Sequence, residues 1–121
     1  MTTARRAFAH DVAVVLDGDP AAPGAAITVA LCGHWDHEPP CPLAPHHTAA
    51  ERTADDTVRL RVLFAVEPER EADVRSLIDT ALESGRLTGP EGRVTTWTVR
   101  SSEAGGVRPD ERAHAAGLVA G

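Results

Sequence analysis

Apolar and polar residues alternate along three stretches of this chain. In AFAHDVAVVL, residues 7–16, Phe8, His10, Val12, Val14 and Leu16 share one face, the pattern of a half-buried strand. In AAITVALC, residues 25–32, Ile27, Val29 and Leu31 point one way and Thr28, Ala30 and Cys32 the other. That predicts a second strand, joined to the first as a hairpin through the turn-forming DGDPAAPG at 17–24. The clearest alternation is TVRLRVLFAV, residues 57–66, where Val58, Leu60, Val62, Phe64 and Val66 make one face fully apolar. A fourth strand is predicted at RVTTWTVRS, residues 93–101, from its β-branched residues.

Between the last two strands the period changes to that of a helix. Val74, Leu77, Ile78, Ala81 and Leu82 form one stripe, Pro68 suits a first helical position, acids fill the first turn and Gly85 suits the C-terminal cap. Residues 104–121 have Pro109 and acids at a helix start but only a weak apolar stripe with Gly117 in it, so a weakly ordered or short helix is expected. The elements add up to a single α+β domain over residues 1–121. Its sheet is four-stranded and mostly antiparallel, in the order ββ-loop-βαβ, with one main helix on one face, ferredoxin-like at the level of architecture.

One helix covers the face bearing Val58, Leu60, Val62 and Phe64. The other face, with Ala13, Val15, Thr28, Ala30, Leu63 and Ala65, is left to the 33–56 loop, the C-terminal segment or a second copy of the chain. Monomers seldom expose such a patch, and twofold pairing is the commonest way to bury one. A homodimer is therefore expected, with Arg59 and Arg61 at its polar rim.

Composition narrows the function. Aromatics are 3% of the chain against 42% hydrophobic residues, so the core is aliphatic, with Phe8, Phe64, Trp35 and Trp97 as its few large pieces. All 12 basic residues are Arg, and Lys, Asn, Gln and Tyr are absent, which points to a GC-rich, bacterial genome rather than to a mechanism. A net charge of -6 supplies no basic surface for phosphates and argues against nucleic acid as a partner. No segment has the pattern of a secretory signal or the length of a membrane span, so the chain reads as soluble and cytoplasmic.

The chemistry concentrates in CGHWDHEPPCPLAPHHT, residues 32–48. The 16 positions from Cys32 to His47 hold six of the eight Cys and His residues of the chain: Cys32, His34, His37, Cys41, His46 and His47. In a reducing compartment, cysteines beside histidines point to metal rather than to a Cys32–Cys41 disulfide. A Cys2His2 set is a common closed tetrahedron for zinc, with copper(I) or nickel the alternatives by ligand type. Cys32 and His34 at a strand end would lie about 7 Å apart along the backbone, close enough to share an ion. Prolines 39, 40, 42 and 45 stiffen the loop. Thr48-Ala-Ala-Glu51 matches a capping box and predicts a short helix just after His46 and His47.

Around this cluster the expected roles are modest. Asp36 reads as a solvated acid before an imidazole's orienter, and Trp35 as core or as a wall of the site. His10 reads as a satisfied core histidine or an edge residue before a ligand, Arg59 and Arg61 as a solvated strand face before a site for an anionic ligand or partner, and His114 has no role. No GxSxG, GxxxxGK or GxGxxG motif is present. The expected function is binding of one zinc as a structural clip or a surface for a protein partner. The alternatives are a metal-dependent enzyme with an open fourth position, and metal trafficking or sensing.

Overall fold

β3, residues Thr57–Val66, is the strand with the clearest alternation, and the rest of the architecture is arranged around it. The computed structural model describes residues 4–32, 45–53, 56–89 and 92–120. Among these, five strands and three helices follow in the order β1 (Arg6–Asp17), α1 (Ala22–Cys32), β2 (His46–Arg52), β3 (Thr57–Val66), α2 (Glu71–Glu83), β4 (Arg86–Thr88), β5 (Val94–Gly105) and α3 (Arg112–Ala120). The sheet order is β2-β3-β1-β5-β4 and every neighbouring pair is antiparallel. β3 and β5 both lie against β1, so they run parallel to each other with β1 between them, and the expected β-α-β unit is a split one.

Three expectations are corrected here. AAITVALC is part of α1, not a strand, so no hairpin joins it to β1. Asp19 Oδ1 accepts the N–H of Ala21 at 2.9 Å, its carbonyl accepts that of Ala22 at 3.0 Å, and the helix begins there. Its buried positions Ala22, Ala26, Ile27 and Leu31 have helical spacing, which a short apolar run cannot distinguish from a strand by pattern alone. Gly18 makes the approach to α1 feasible: its φ is +128°, and a Cβ there would meet Thr95 Oγ1 at 2.5 Å.

Secondly, the capping-box segment is not a helix start. His46–Arg52 is strand β2, paired with β3 from His46↔Phe64 to Arg52↔Val58. β3 is buried along most of its length, so its second edge needs backbone partners, and that need outweighs the weak strand propensity of Ala and Glu. Thirdly, the sheet has five strands rather than four. The three-residue β4 is too short to show a period, and it forms where the chain turns from α2 into β5.

The helix at Glu71–Glu83 stands as expected, with Val74, Ile78 and Leu82 buried. Gly85, at φ +63°, ends it. A Cβ there would lie 2.8 Å from the Trp97 carbonyl oxygen. Trp97 returns two bonds, its backbone N–H to the Gly85 carbonyl at 2.9 Å and its indole N–H to the Leu82 carbonyl at 3.0 Å.

Two helices, not one, share the first face. α1 and α2 pack on Val12, Val14, Leu16, Val58, Leu60, Val62, Phe64 and Val66 in one aliphatic core. The second face is not left open. α3 packs on β1 and β3, and Leu63 and Ala65, which the sequence left to a second copy, are buried with Ala9 and Ala115. Ala30 belongs to α1 and does not contribute to that face.

Arg61 fastens α3 down. It stands opposite Asp11 in the β1–β3 register and donates Nη1 to both Asp11 oxygens at 2.8 and 3.0 Å. Nε and Nη2 reach Glu111 at 3.1 and 2.6 Å, and Nη2 also reaches the Gly106 carbonyl at 2.5 Å. Arg61 is thus a partly buried fork across β1, β3 and the approach to α3, not a rim charge. Its side chain is 14% exposed. Glu111 also accepts the Arg108 backbone N–H at 2.9 Å, which caps the turn before α3. Arg61 holds the Glu111 carboxyl down from 4.5 to about 2.

A depressed carboxyl pKa contributes stability that is present above its unfolded value and lost as pH falls toward the folded one. Arg61→Met should therefore cost about 2 kcal/mol at neutral pH and remove part of the acid sensitivity between pH 4.5 and about 2. Urea unfolding at several pH values measures both effects, and hydrogen exchange should show the loosening first in α3.

Candidate metal centre

The six Cys and His residues fall into three groups. His34, His37 and Cys41, with Trp35 and Asp36, lie outside the described residues. Cys32 is the last residue of α1, and His46 and His47 open β2. Successive residues of a strand face opposite ways, so His46 and His47 are directed to opposite sides of the sheet.

On the α1 side, His46 Nε2 is 3.1 Å from Thr28 Oγ1. The Thr28 hydroxyl donates to the Gly24 carbonyl one turn back, also at 3.1 Å. When the Thr28 proton goes to Gly24, the Thr28 oxygen accepts from His46 Nε2–H, the tautomer in which Nδ1 is the acceptor nitrogen of the ring. Position 32 is one helical turn beyond Thr28. The two ends of the Cys/His segment therefore converge on one side of the sheet. Beside His46, toward the start of α1, is an open hollow of about 320 Å³ lined by Pro20, Ala21, Gly24, Thr28, His46 and Thr48. Thr48 Oγ1 is buried and has no hydrogen-bond partner among the described residues.

On the other side, the His47 ring lies against that of His114 on α3, with centroids 4.5 Å apart and planes at 52°. Nothing in the sequence links two histidines 67 positions apart (114 − 47). Among the described residues no three Cys, His, Asp or Glu side chains form a group that could hold a metal.

A second polar cluster was not legible in the sequence. His10 is 3% exposed and bonded at both nitrogens, to Arg75 Nη1 at 2.9 Å through Nδ1 and to Ser102 Oγ at 2.7 Å through Nε2. Ser102 in turn donates to Asp79, whose side chain is 48% exposed. Arg75 also holds the Ala9 carbonyl at 2.7 Å and Glu71 at 2.8 Å, and lies over the Phe64 ring. Ser102 reaches this face only because the β1–β5 register slips between Ala13 and Val14, leaving Arg100 as the extra residue of a bulge.

Serine, histidine and aspartate in one chain resemble a nucleophile with its base, but the order of the bonds is wrong. Arg75 can only donate, so Nδ1 is bare and Nε2 carries the proton toward Ser102, where a general base would have to accept one. Among the described residues, the hollows beside Leu16, His46 and Arg61 do not include His10, Ser102 or Asp79. The cluster binds α2 to β1 and β5, in keeping with the reading of His10 as a satisfied core histidine.

No family model matches the chain, and no curated protein is significantly similar to it. Among the described residues, no helix is long and apolar enough to cross a membrane.

Burial first, then the Arg75 charge, lowers the His10 pKa below its ordinary 6.5 against the pull of Asp79 and Asp11. The unfolded chain takes up that proton more readily than the folded one. The stability due to neutral His10 is therefore complete above pH 6.5 and falls as the pH drops below it. Urea midpoints measured from pH 8 to pH 5 should show this loss in the wild type, and His10→Met should flatten that part of the curve while lowering stability at pH 8.

Proposed function

We propose that this protein binds one zinc ion through Cys32, Cys41 and two histidines of the 32–48 segment, as a structural clip that shapes a surface for a protein partner. The observation that supports this reading is the convergence of the segment's ends, through the His46–Thr28 contact one helical turn before Cys32. Anchored ends lower the entropy lost when a loop closes around an ion, and metal binding then orders the loop. The strand alternation favours His46 over His47 as the contribution of β2, with His34 or His37 as the other imidazole. The split β-α-β connections and the sheet order support a ferredoxin-like architecture as part of the same proposal. A cytoplasmic location fits because thiolate ligands need a reducing compartment.

A second reading, a metal-dependent enzyme, draws on one specific feature. The hollow beside His46 and the unpartnered Thr48 hydroxyl would accommodate a water or substrate at an open fourth position.

Purified without chelator, the protein should contain about one zinc per chain. Cys41→Ser and His46→Ala should each lower zinc content at least severalfold, while His47→Ala leaves it unchanged and circular dichroism shows the sheet intact. Elemental analysis finding no transition metal in the wild type rejects the clip. An X-ray absorption spectrum with a water oxygen among the ligands selects the enzyme instead.

A further inference from the structure

The two edges of the sheet are guarded differently. β4, at one edge, is three residues long, and a short edge strand offers little for another chain to pair with. β2, at the other, is the seven-residue HHTAAER, with no proline, glycine or lysine. The phase of its ladder follows from two bonds, Ala65 N–H to the Pro45 carbonyl and Thr53 N–H to the Thr57 carbonyl, both 3.0 Å. Odd positions of β2 therefore bond to β3, and Thr48 and Ala50 turn their N–H and C=O groups outward. Those four groups meet no partner among the described residues, and Ala49, Ala50 and Glu51 are exposed.

We propose that this edge pairs with the same edge of a second copy of the chain, β2 antiparallel to β2 about a twofold axis at Ala49, joining the two sheets into one. The self-complementarity of the strand identifies the occupant. Inter-chain bonds form only where an even position meets an even one, which limits the registers. Centring the axis on Ala49 sets Thr48 against Ala50 of the second copy, with small side chains along the axis. It also sets His47 against Glu51 of the second copy, twice by symmetry. These fall in the non-hydrogen-bonded class, where opposed side chains come closest, and an imidazole facing a carboxylate is favourable there.

Neighbouring registers lose this match. An axis at Thr48 puts Glu51 against Pro45, and one at Ala50 puts it against Ala49. An axis at His47 or Glu51 opposes identical side chains. Open hollows of about 320 and 350 Å³ border β2 on its two faces, the first lined by Thr28 and Thr48, the second by Ala49, Glu51 and Arg59. They leave room for the alternating side chains of an added strand. The interface uses no zinc-ligating side chain, since His46 would offer only its backbone groups opposite Arg52 of the second copy, and it stands whether or not the clip does.

Light scattering on the full chain decides it. The wild type should have twice the 12.7 kDa mass of one chain at micromolar concentration, with or without chelator. Ala50→Pro removes an outward N–H and no bond to β3, so it should halve the mass with the circular dichroism unchanged. Glu51→Arg should also shift the protein toward the single-chain mass, and His47→Glu added to it should restore the dimer. A wild-type mass of one chain overturns the proposal, as does a dimer that survives both Ala50→Pro and Glu51→Arg, or one that chelator dissociates.

Discussion

A strand buried on both faces and bonded at both edges imposes the plan of this molecule. From Val62 to Val66, β3 is buried at every position, and Val58 and Leu60 before it are buried as well. Backbone groups taken out of water must be hydrogen-bonded, so β3 needs a neighbour on each side, and β1 and β2 supply them. Its even-numbered side chains need an apolar cover that a single 13-residue helix does not complete, and α1 joins α2 there. Its odd-numbered Leu63 and Ala65 need another, which α3 provides. The roles of α1, β2 and α3 all follow from the demands of this one strand.

The polar clusters are arranged on the same frame, one on each face. Arg61, on the odd face, is committed to Asp11, Glu111 and the Gly106 carbonyl, which satisfies most of its donors and ties the chain after β5 to the sheet. His10, on the even face, is committed to Arg75 and Ser102. Each joins elements distant in sequence through a group that is costly to leave unpaired once buried. Both contribute to specifying the docking of a helix, and each makes stability depend on pH in its own range.

The candidate metal centre depends on a weaker connection. α1 and β2 meet through Thr28 and His46, at the point where the Cys/His segment leaves one and enters the other. The same strand alternation that brings His46 to α1 carries His47 to α3, where it meets His114. Two histidines adjacent in sequence therefore face different helices, His46 toward α1 and His47 toward α3.

The strands β1 and β3 and the helix α2 were legible because each repeats its period over enough residues to exclude the alternative, and Gly85 marks where α2 stops. The Cys/His cluster was legible as composition, since density along the chain needs no coordinates. AAITVALC was not, because eight apolar or small residues fit a strand and a helix equally well and only packing beside α2 decides between them. Thr48-Ala-Ala-Glu51 is locally a helix start, and the unpaired edge of β3, remote in sequence, makes it a strand. Ser102 faces His10 through a bulge that breaks the alternation, and Arg61 reads as a solvated charge until α3 folds over it. What the sequence determined by itself was the local periodicity and the inventory of reactive side chains. Which side chains meet was decided by the tertiary structure, because backbone pairing and burial act between segments that no local pattern connects.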